Sequence, residues 1–326
     1  MDVALTTRMI DADDDGAAEA ALCLRAGGLV AFPTETVYGL GANAANAAAV
    51  ARLYQAKGRP AFNPLIAHVA DQHAASRIAI LNDDAQKLTD AFWPGPLTLV
   101  LPKTRDCDVC DLATAGLVSV AVRMPRHRFA QTMLRSFGGA VVAPSANRSG
   151  HVSPTTAAHV RDDLDGRIDL IIGGGGVDVG VESTIVACLD RPTLLRPGGV
   201  PRNLIETVLG FALAVADDHQ ARPLAPGMLA SHYAPRTRVR LNARILEPDE
   251  ALLAFGPPLA GEPRAVLNLS PSGDLVEAAA NLFGYLRRLD AEGATMIAVM
   301  PIPLHGLGEA INDRLRRAAA ERGETQ

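Results

Sequence analysis

The 326 residues predict an α/β fold: a twisted mixed sheet with flanking helices, followed by a smaller Rossmann-like α/β unit. Three observations predict it. Apolar runs of strand length alternate with helix-length segments through the first two-thirds of the chain. Several consecutive strands have no helix between them, which requires antiparallel pairs and a mixed sheet. Past a stretch broken by Pro223, Pro226-Gly227 and Pro235, strand, helix, strand and helix resume as a separate unit. The division is 1–210 for the first unit, 211–237 for a linker and 238–326 for the second.

Taken in order, Asp13 to Asp15 can cap a helix through Ala17–Arg25 that Gly27-Gly28 stops. Leu29–Phe32 is a strand halted at Pro33, and Thr34 to Gly41 follows as a loop rich in hydroxyls and glycines. Asn46 to Ala56 is an alanine-rich helix ended by Gly58 and Pro60; Leu65–Val69 is a strand carrying His68. A helix near Asp84–Phe92 leads through Trp93-Pro-Gly-Pro96 into strand Leu97–Leu101, and strand Val118–Val122 ends at Arg123. Helix His127–Phe137 precedes the buried strand Val141–Ala143, which breaks at Pro144. Helix Thr155–Leu164, strand Leu170–Ile172, a four-glycine loop and the strands Thr184–Leu189 and Thr193–Leu195 complete the first unit. In the second, strands Val239–Leu241, Leu252–Phe255 and Val266–Leu269 precede a helix with Leu275, Ala279, Leu282, Leu286 and Leu289 on one face. Strand Met296–Met300 and a helix from Gly308 to Glu321 close the chain.

Apolar residues make up 48% and charged residues 21%, enough for a substantial core. With 36 acidic against 31 basic side chains the net charge is −5, so no global field draws the chain to nucleic acid or an anionic membrane. The longest apolar stretch, Val208 to Ala216, is too short to span a bilayer, and the N-terminus lacks the pattern of a signal peptide. Cys23, Cys107, Cys110 and Cys188 make no disulfide framework; Cys107-x-x-Cys110 is a metal or redox pair or incidental thiols in a loop. The expected compartment is the cytoplasm.

Bound anions must therefore be held locally. Lys57 and Arg59 follow a helix, Arg123 ends a strand, Arg148 lies beyond Pro144 and Arg196 precedes Pro-Gly-Gly. Converging at one sheet edge, these cations would line a cavity for a phosphate-bearing molecule; taken singly, each is also a solvated surface charge. The loop from Ser145 to Ser153 is a ligand loop or a decorated surface turn, and His68 is a core histidine or an anchor for a carboxylate or amine. Neither a Gly-x-Ser-x-Gly nor a Walker A sequence occurs, so no triad hydrolase or P-loop is expected.

Lys57-x-Arg59, Ser145-x-Asn147, Pro33-Thr-Glu-Thr-Val-Tyr-Gly-Leu40, Trp93-Pro-Gly-Pro-Leu-Thr98 and Glu182-Ser-Thr184 together resemble the YrdC/Sua family of threonylcarbamoyl-adenylate synthases. The His232-Tyr-Ala-Pro235 linker and second unit resemble its longer, two-domain form. The resemblance implies a YrdC-like first domain, a nucleotidyltransferase that makes threonylcarbamoyl-AMP and pyrophosphate from L-threonine, bicarbonate and ATP, and Mg²⁺ with the ATP. The product would feed threonylcarbamoyladenosine modification of tRNA through separate threonylcarbamoyl-transfer proteins. Carried over by motif, Thr36, His68, Arg123, Ala143 and Ser183 contact threonine; Arg59, Asn63, Ser119, Ser145, Ser153, Arg196 and Tyr233 contact ATP. Lys57, Arg59, Ser145 and Asn147 are the catalytic set, Tyr233 is laid on the nucleotide by the linker, and Glu35 and Glu182 are possible metal ligands. The rival readings are a double-stranded RNA or tRNA-binding module, and carbamoyl transfer to another acceptor.

Overall fold

The structure, a computed structural model, describes residues 5–216, 224–226 and 233–320. Residues 217–223 and 227–232 of the expected linker, and Glu321 of the expected last helix, lie outside the described residues. One sheet runs in the order Arg8–Asp11, Leu170–Gly173, Val30–Phe32, Gly39–Asn43, Val141–Val142, Ile66–His68, Ser119–Arg123, Leu97–Pro102, Thr184–Ala187, Thr193–Arg196, Ala214–Val215, its last strand lying within the expected 211–237 linker, so the first unit extends past residue 210. Five neighbouring pairs are parallel and five antiparallel, so the sheet is mixed as predicted.

Strand periodicity sends alternate side chains to opposite faces, and both faces are covered. Val30 and Phe32 join a core with Leu24, Phe129, Met133 and Ile172, whereas Ala31 faces the larger core containing Leu40, Leu53, Leu97, Leu99 and Val122. The helices on these faces begin and end where their sequences dictate. Asp13 caps Asp14–Arg25 by accepting from the Gly16 N–H, and Asn46 caps Ala47–Lys57, which Gly58 ends in a left-handed conformation.

The stretch expected to be a loop through Gly41 instead becomes a strand from Gly39 to Asn43. A Cβ on Gly41 would sit 2.9 Å from the Phe32 ring and 3.1 Å from Val141 Cγ1, so its glycine makes room between two strands instead of marking a turn. Strand Arg8–Asp11, helices Gln72–Ile78 and Arg202–Leu209, and strand Ala214–Val215 are further elements beyond those predicted. The two strands are the first and last in the sheet order, and their largely exposed side chains leave no apolar alternation to read.

The second unit carries a four-stranded sheet in the order Arg238–Arg240, Met296–Val299, Glu250–Ala254, Val266–Asn268, every neighbouring pair parallel. Helix Leu275–Asp290 makes the crossover that parallel pairing requires. Its core does not stop at the unit's edge. Val37, Val152, Val181 and Tyr233 pack into the cluster formed by Ala279, Leu282, Phe283 and Leu286. At this junction Gly180 has φ +74°, and a Cβ there would lie 2.2 Å from the carbonyl oxygen of Ala279. Ion pairs Arg287–Asp163 (2.8 Å), Arg314–Glu182 (2.7 Å) and Arg202–Glu309 cross the same seam.

Candidate active site

The polar strand ends converge because register forces them to. His68 pairs with Arg123 on one side and Val141 on the other, and Arg123 pairs with Thr98. The loop after Val141–Val142 is stitched to the neighbouring strand by Leu40 N–H to Pro144 O (2.8 Å) and Ala146 N–H to Tyr38 O (2.8 Å). The result is a cleft open at its mouth. Thr34, Thr36, Arg59, His68, Arg123, Ala143, Ser145, Glu182, Ser183, Arg196 and Tyr233 line it with Val37, Gly39, Ile66, Pro144 and Pro226.

One end of the cleft is polar and neutral. Thr34 and Thr36 share a hydroxyl–hydroxyl bond of 2.9 Å, as do Ser183 and Thr98 at 2.7 Å. Burial, and then the charge of Arg123, pushes the His68 imidazole down to about 3, so the ring is neutral at physiological pH. With Nδ1 donating to the Ile66 carbonyl at 3.1 Å, the lone pair of Nε2 is an acceptor. Arg123 Nη2 lies 2.9 Å from Glu35 Oε1, and both residues are buried. Burial pushes the Glu35 carboxyl up, but Arg123 more than offsets this and holds it below the usual carboxylate range.

The remaining wall is cationic. Arg59 donates to the carbonyls of Asn63 (3.4 Å) and Pro64 (3.1 Å); Arg196 donates to the Ser183 carbonyl at 2.8 and 3.2 Å and to that of Pro226 at 3.3 Å. Both are buried, and among the described residues neither has a carboxylate within ion-pair distance. Burial lowers Arg59 to about 10, which leaves it charged at neutral pH. Buried cations without a carboxylate are costly unless an anion completes them.

The structure sets five expected contact residues behind this lining. Lys57 is buried and donates to the carbonyls of Ser145 and Asn147, clamping the loop. Burial and the charge of Arg59 both lower its pKa. Asn147 donates to the carbonyls of Arg148 (2.8 Å) and His151 (2.9 Å), and Ser153 donates to Glu182 Oε1 at 2.6 Å. The Asn63 backbone carbonyl accepts from the Tyr54 hydroxyl (3.0 Å), while Ser119 pairs across its strand with Pro102. Arg148, grouped by sequence with the cavity cations, is exposed and outside the lining.

Tyr233 has φ +63° and stacks on Phe283 with centroids 5.5 Å apart, so one ring joins the cleft to the second unit's core. The sequence carried no sign of Arg314, which reaches Glu182 from the last helix; an arginine in an amphipathic helix reads as surface. Glu35 and Glu182, the possible metal ligands, are each paired with an arginine. Among the described residues no group of three or more His, Cys, Asp and Glu side chains could hold a metal ion, Cys107 and Cys110 included. All four cysteines are free thiols, and no described helix is long and apolar enough to cross a membrane.

A mixed α/β sheet whose strand ends enclose buried arginines outside ion-pair distance of any described carboxylate, beside a corner of neutral hydroxyls, defines a class: proteins that bind a polyanion next to a small polar molecule. Residues 23–198 match the Sua5/YciO/YrdC family model, described as telomere recombination, and residues 200–320 match that of the C-terminal domain of threonylcarbamoyl-AMP synthase. The chain belongs to this two-domain Sua5/YrdC family of threonylcarbamoyl-AMP synthases. It is similar to the threonylcarbamoyl-AMP synthase of Bacillus subtilis (strain 168), with 41% identity covering 97% of this chain and 96% of the relative. The threonylcarbamoyl-AMP synthase of Pyrococcus abyssi is 42% identical over 92% of each chain. The crystal structure of P. abyssi Sua5 complexed with L-threonine matches the fold with a TM-score of 0.88 and 38% identity, covering 97% of this chain and 98% of that one.

Proposed function

We propose that this chain condenses L-threonine, bicarbonate and ATP into threonylcarbamoyl-AMP with release of pyrophosphate. The observation that carries the reading is the pair of buried arginines, Arg59 and Arg196, facing the cleft with no carboxylate within ion-pair distance among the described residues. A triphosphate satisfies both. The neutral corner suits an amino acid: Arg123 meets the carboxylate, and the Thr36 and Ser183 hydroxyls with His68 Nε2 read the amine and side-chain hydroxyl. A site built from such groups rejects valine, because its buried polar atoms are then left unpaired.

In the chemistry that follows, the threonine amine adds to bicarbonate and loses water, giving a carbamate. A carbamate oxygen then attacks the α-phosphorus of ATP; the new P–O bond forms as the bond to the β-phosphate bridging oxygen breaks, and pyrophosphate leaves. Such a step needs alignment and charge neutralisation more than an acid or base. Arg59 and Arg196 supply charge, Lys57 and Asn147 keep the Ser145 loop in place, and Tyr233 walls the nucleotide side. Mg²⁺ brought in with ATP would add to the neutralisation of phosphate charge; among the described residues Glu35 and Glu182 are each held by an arginine, and no group of three or more potential ligands forms a cage for it. The product is an activated acyl adenylate, to be consumed in the cytoplasm by threonylcarbamoyl-transfer proteins that modify tRNA adenosine.

Threonine-dependent release of pyrophosphate from ATP, with bicarbonate and without RNA, tests the reading. Its absence would sink the synthase assignment in favour of a binding module. Release that requires carbamoyl phosphate instead would assign carbamoyl transfer to another acceptor.

A further inference from the structure

Arg314 lies in helix Gly308–Ala319 of the second unit and is fully buried. Its Nε donates to Glu182 Oε2 at 2.7 Å and its Nη1 to Asp313 Oδ2 at 2.5 Å. Its guanidinium carbon lies 5.3 Å from the centre of the Tyr233 ring. Glu182 and Tyr233 both line the cleft beside Arg196. An apolar side chain of similar volume would fill the junction without the cost of desolvating a cation, so packing alone does not account for an arginine here.

The charges around Glu182 do account for it. This carboxylate faces the wall assigned to the triphosphate, where it repels phosphate and competes for Arg196. The groups facing it are Arg314, Arg196, Tyr233 and Ser153, with Asp313 behind Arg314. Arg314 makes the direct ion pair, whereas Arg196 spends its donors on the Ser183 and Pro226 carbonyls and stays outside ion-pair distance of any described carboxylate.

We propose that Arg314 is a positioning residue for ATP: by occupying Glu182 and lying against Tyr233, it leaves Arg196 available to the nucleotide, so the second unit completes the site. This rests on the synthase reading. Removing Arg314 hands Arg196 to Glu182.

The test is calorimetric binding of ATP and of threonine to the full chain and its variants, with thermal unfolding recorded for each. Arg314→Met is expected to weaken ATP binding about 100-fold while threonine binding stays within about twofold. Adding Glu182→Gln to that variant removes the competitor and is expected to recover at least about tenfold of the loss, a rescue that a merely structural role does not give. Unchanged ATP affinity in folded Arg314→Met overturns the proposal, as does a folded double variant with no recovery. Should Arg314→Met fail to fold, Arg314→Lys decides. It keeps the cation, so ATP affinity within about threefold of wild type supports the proposal and a loss of about tenfold overturns it. A wild-type chain that binds ATP but forms no threonylcarbamoyl-AMP sinks the synthase reading, and the binding comparison still judges Arg314.

Discussion

Arg59 and Arg123 are both buried arginines lining one cleft, yet their substitutions should behave oppositely. Arg123 has Glu35 at 2.9 Å, so Arg123→Ala strands a buried carboxylate and is expected to cost about 3–5 kcal/mol in chemical denaturation. Arg59 has no such partner among the described residues, so Arg59→Met should lower kcat/KM for ATP by about 100-fold or more while leaving thermal stability unchanged or raised. A stability loss in Arg59→Met as large as that in Arg123→Ala would contradict the assignment of Arg59 to an incoming anion. His68 adds a pH signature. Its folded pKa of about 3 lies below the ordinary histidine value of 6.5, so the stability from keeping it neutral is present above pH 6.5 and is lost as pH falls from there towards 3. The expected slope from this group is about 1.4 kcal/mol per pH unit, and His68→Gln should flatten the stability curve over that window. At this scale the sequence was legible where a motif tied a residue type to a strand end, as at Arg123, His68 and Arg196. It was not legible at Glu35 as the partner of Arg123, because an ion pair between loops distant in the chain leaves no local pattern.

Strand ends and their following loops are the elements that make the cleft, and most were readable from apolar runs halted by proline or glycine. Thr34 to Tyr38 is the loop expected, but its continuation from Gly39 to Gly41 was misread, because the same glycines serve a loop and a tightly packed strand, and only the neighbours Phe32 and Val141 distinguish them. The Lys57-x-Arg59 motif was readable as a site marker, but its two cations divide the work. Arg59 lines the cleft, while Lys57 holds the carbonyls of Ser145 and Asn147 from behind. Lys57→Met should therefore leave those carbonyls without their donor, at about 1–3 kcal/mol each, and weaken both substrates together. Denaturation and paired KM measurements check this. An effect on ATP alone, with stability intact, would place Lys57 on the phosphate instead.

Across the whole molecule, the second unit is a parallel sheet with its own crossover helix, as its alternating elements suggested, but its core and ion pairs run into the first unit. Val37, Val152 and Val181 would be exposed without it, and Glu182 would lose its cation. The chain is accordingly expected to unfold in one calorimetric transition; two well-separated transitions would show that the junction contributes little. This seam could not be read from sequence, since Arg314 and Arg287 look like solvent-facing positions of amphipathic helices until the first unit is placed against them. Buried arginines lining the cleft at the converging strand ends should hold ATP beside threonine so that a carbamate reaches the α-phosphorus. Mass spectrometry of the purified chain incubated with ATP, L-threonine and bicarbonate tests it most directly. Threonylcarbamoyl-AMP should accumulate with the wild type and be lost with Arg59→Ala and with Arg196→Ala. No adduct from the wild type, or undiminished adduct from both folded variants, would contradict it.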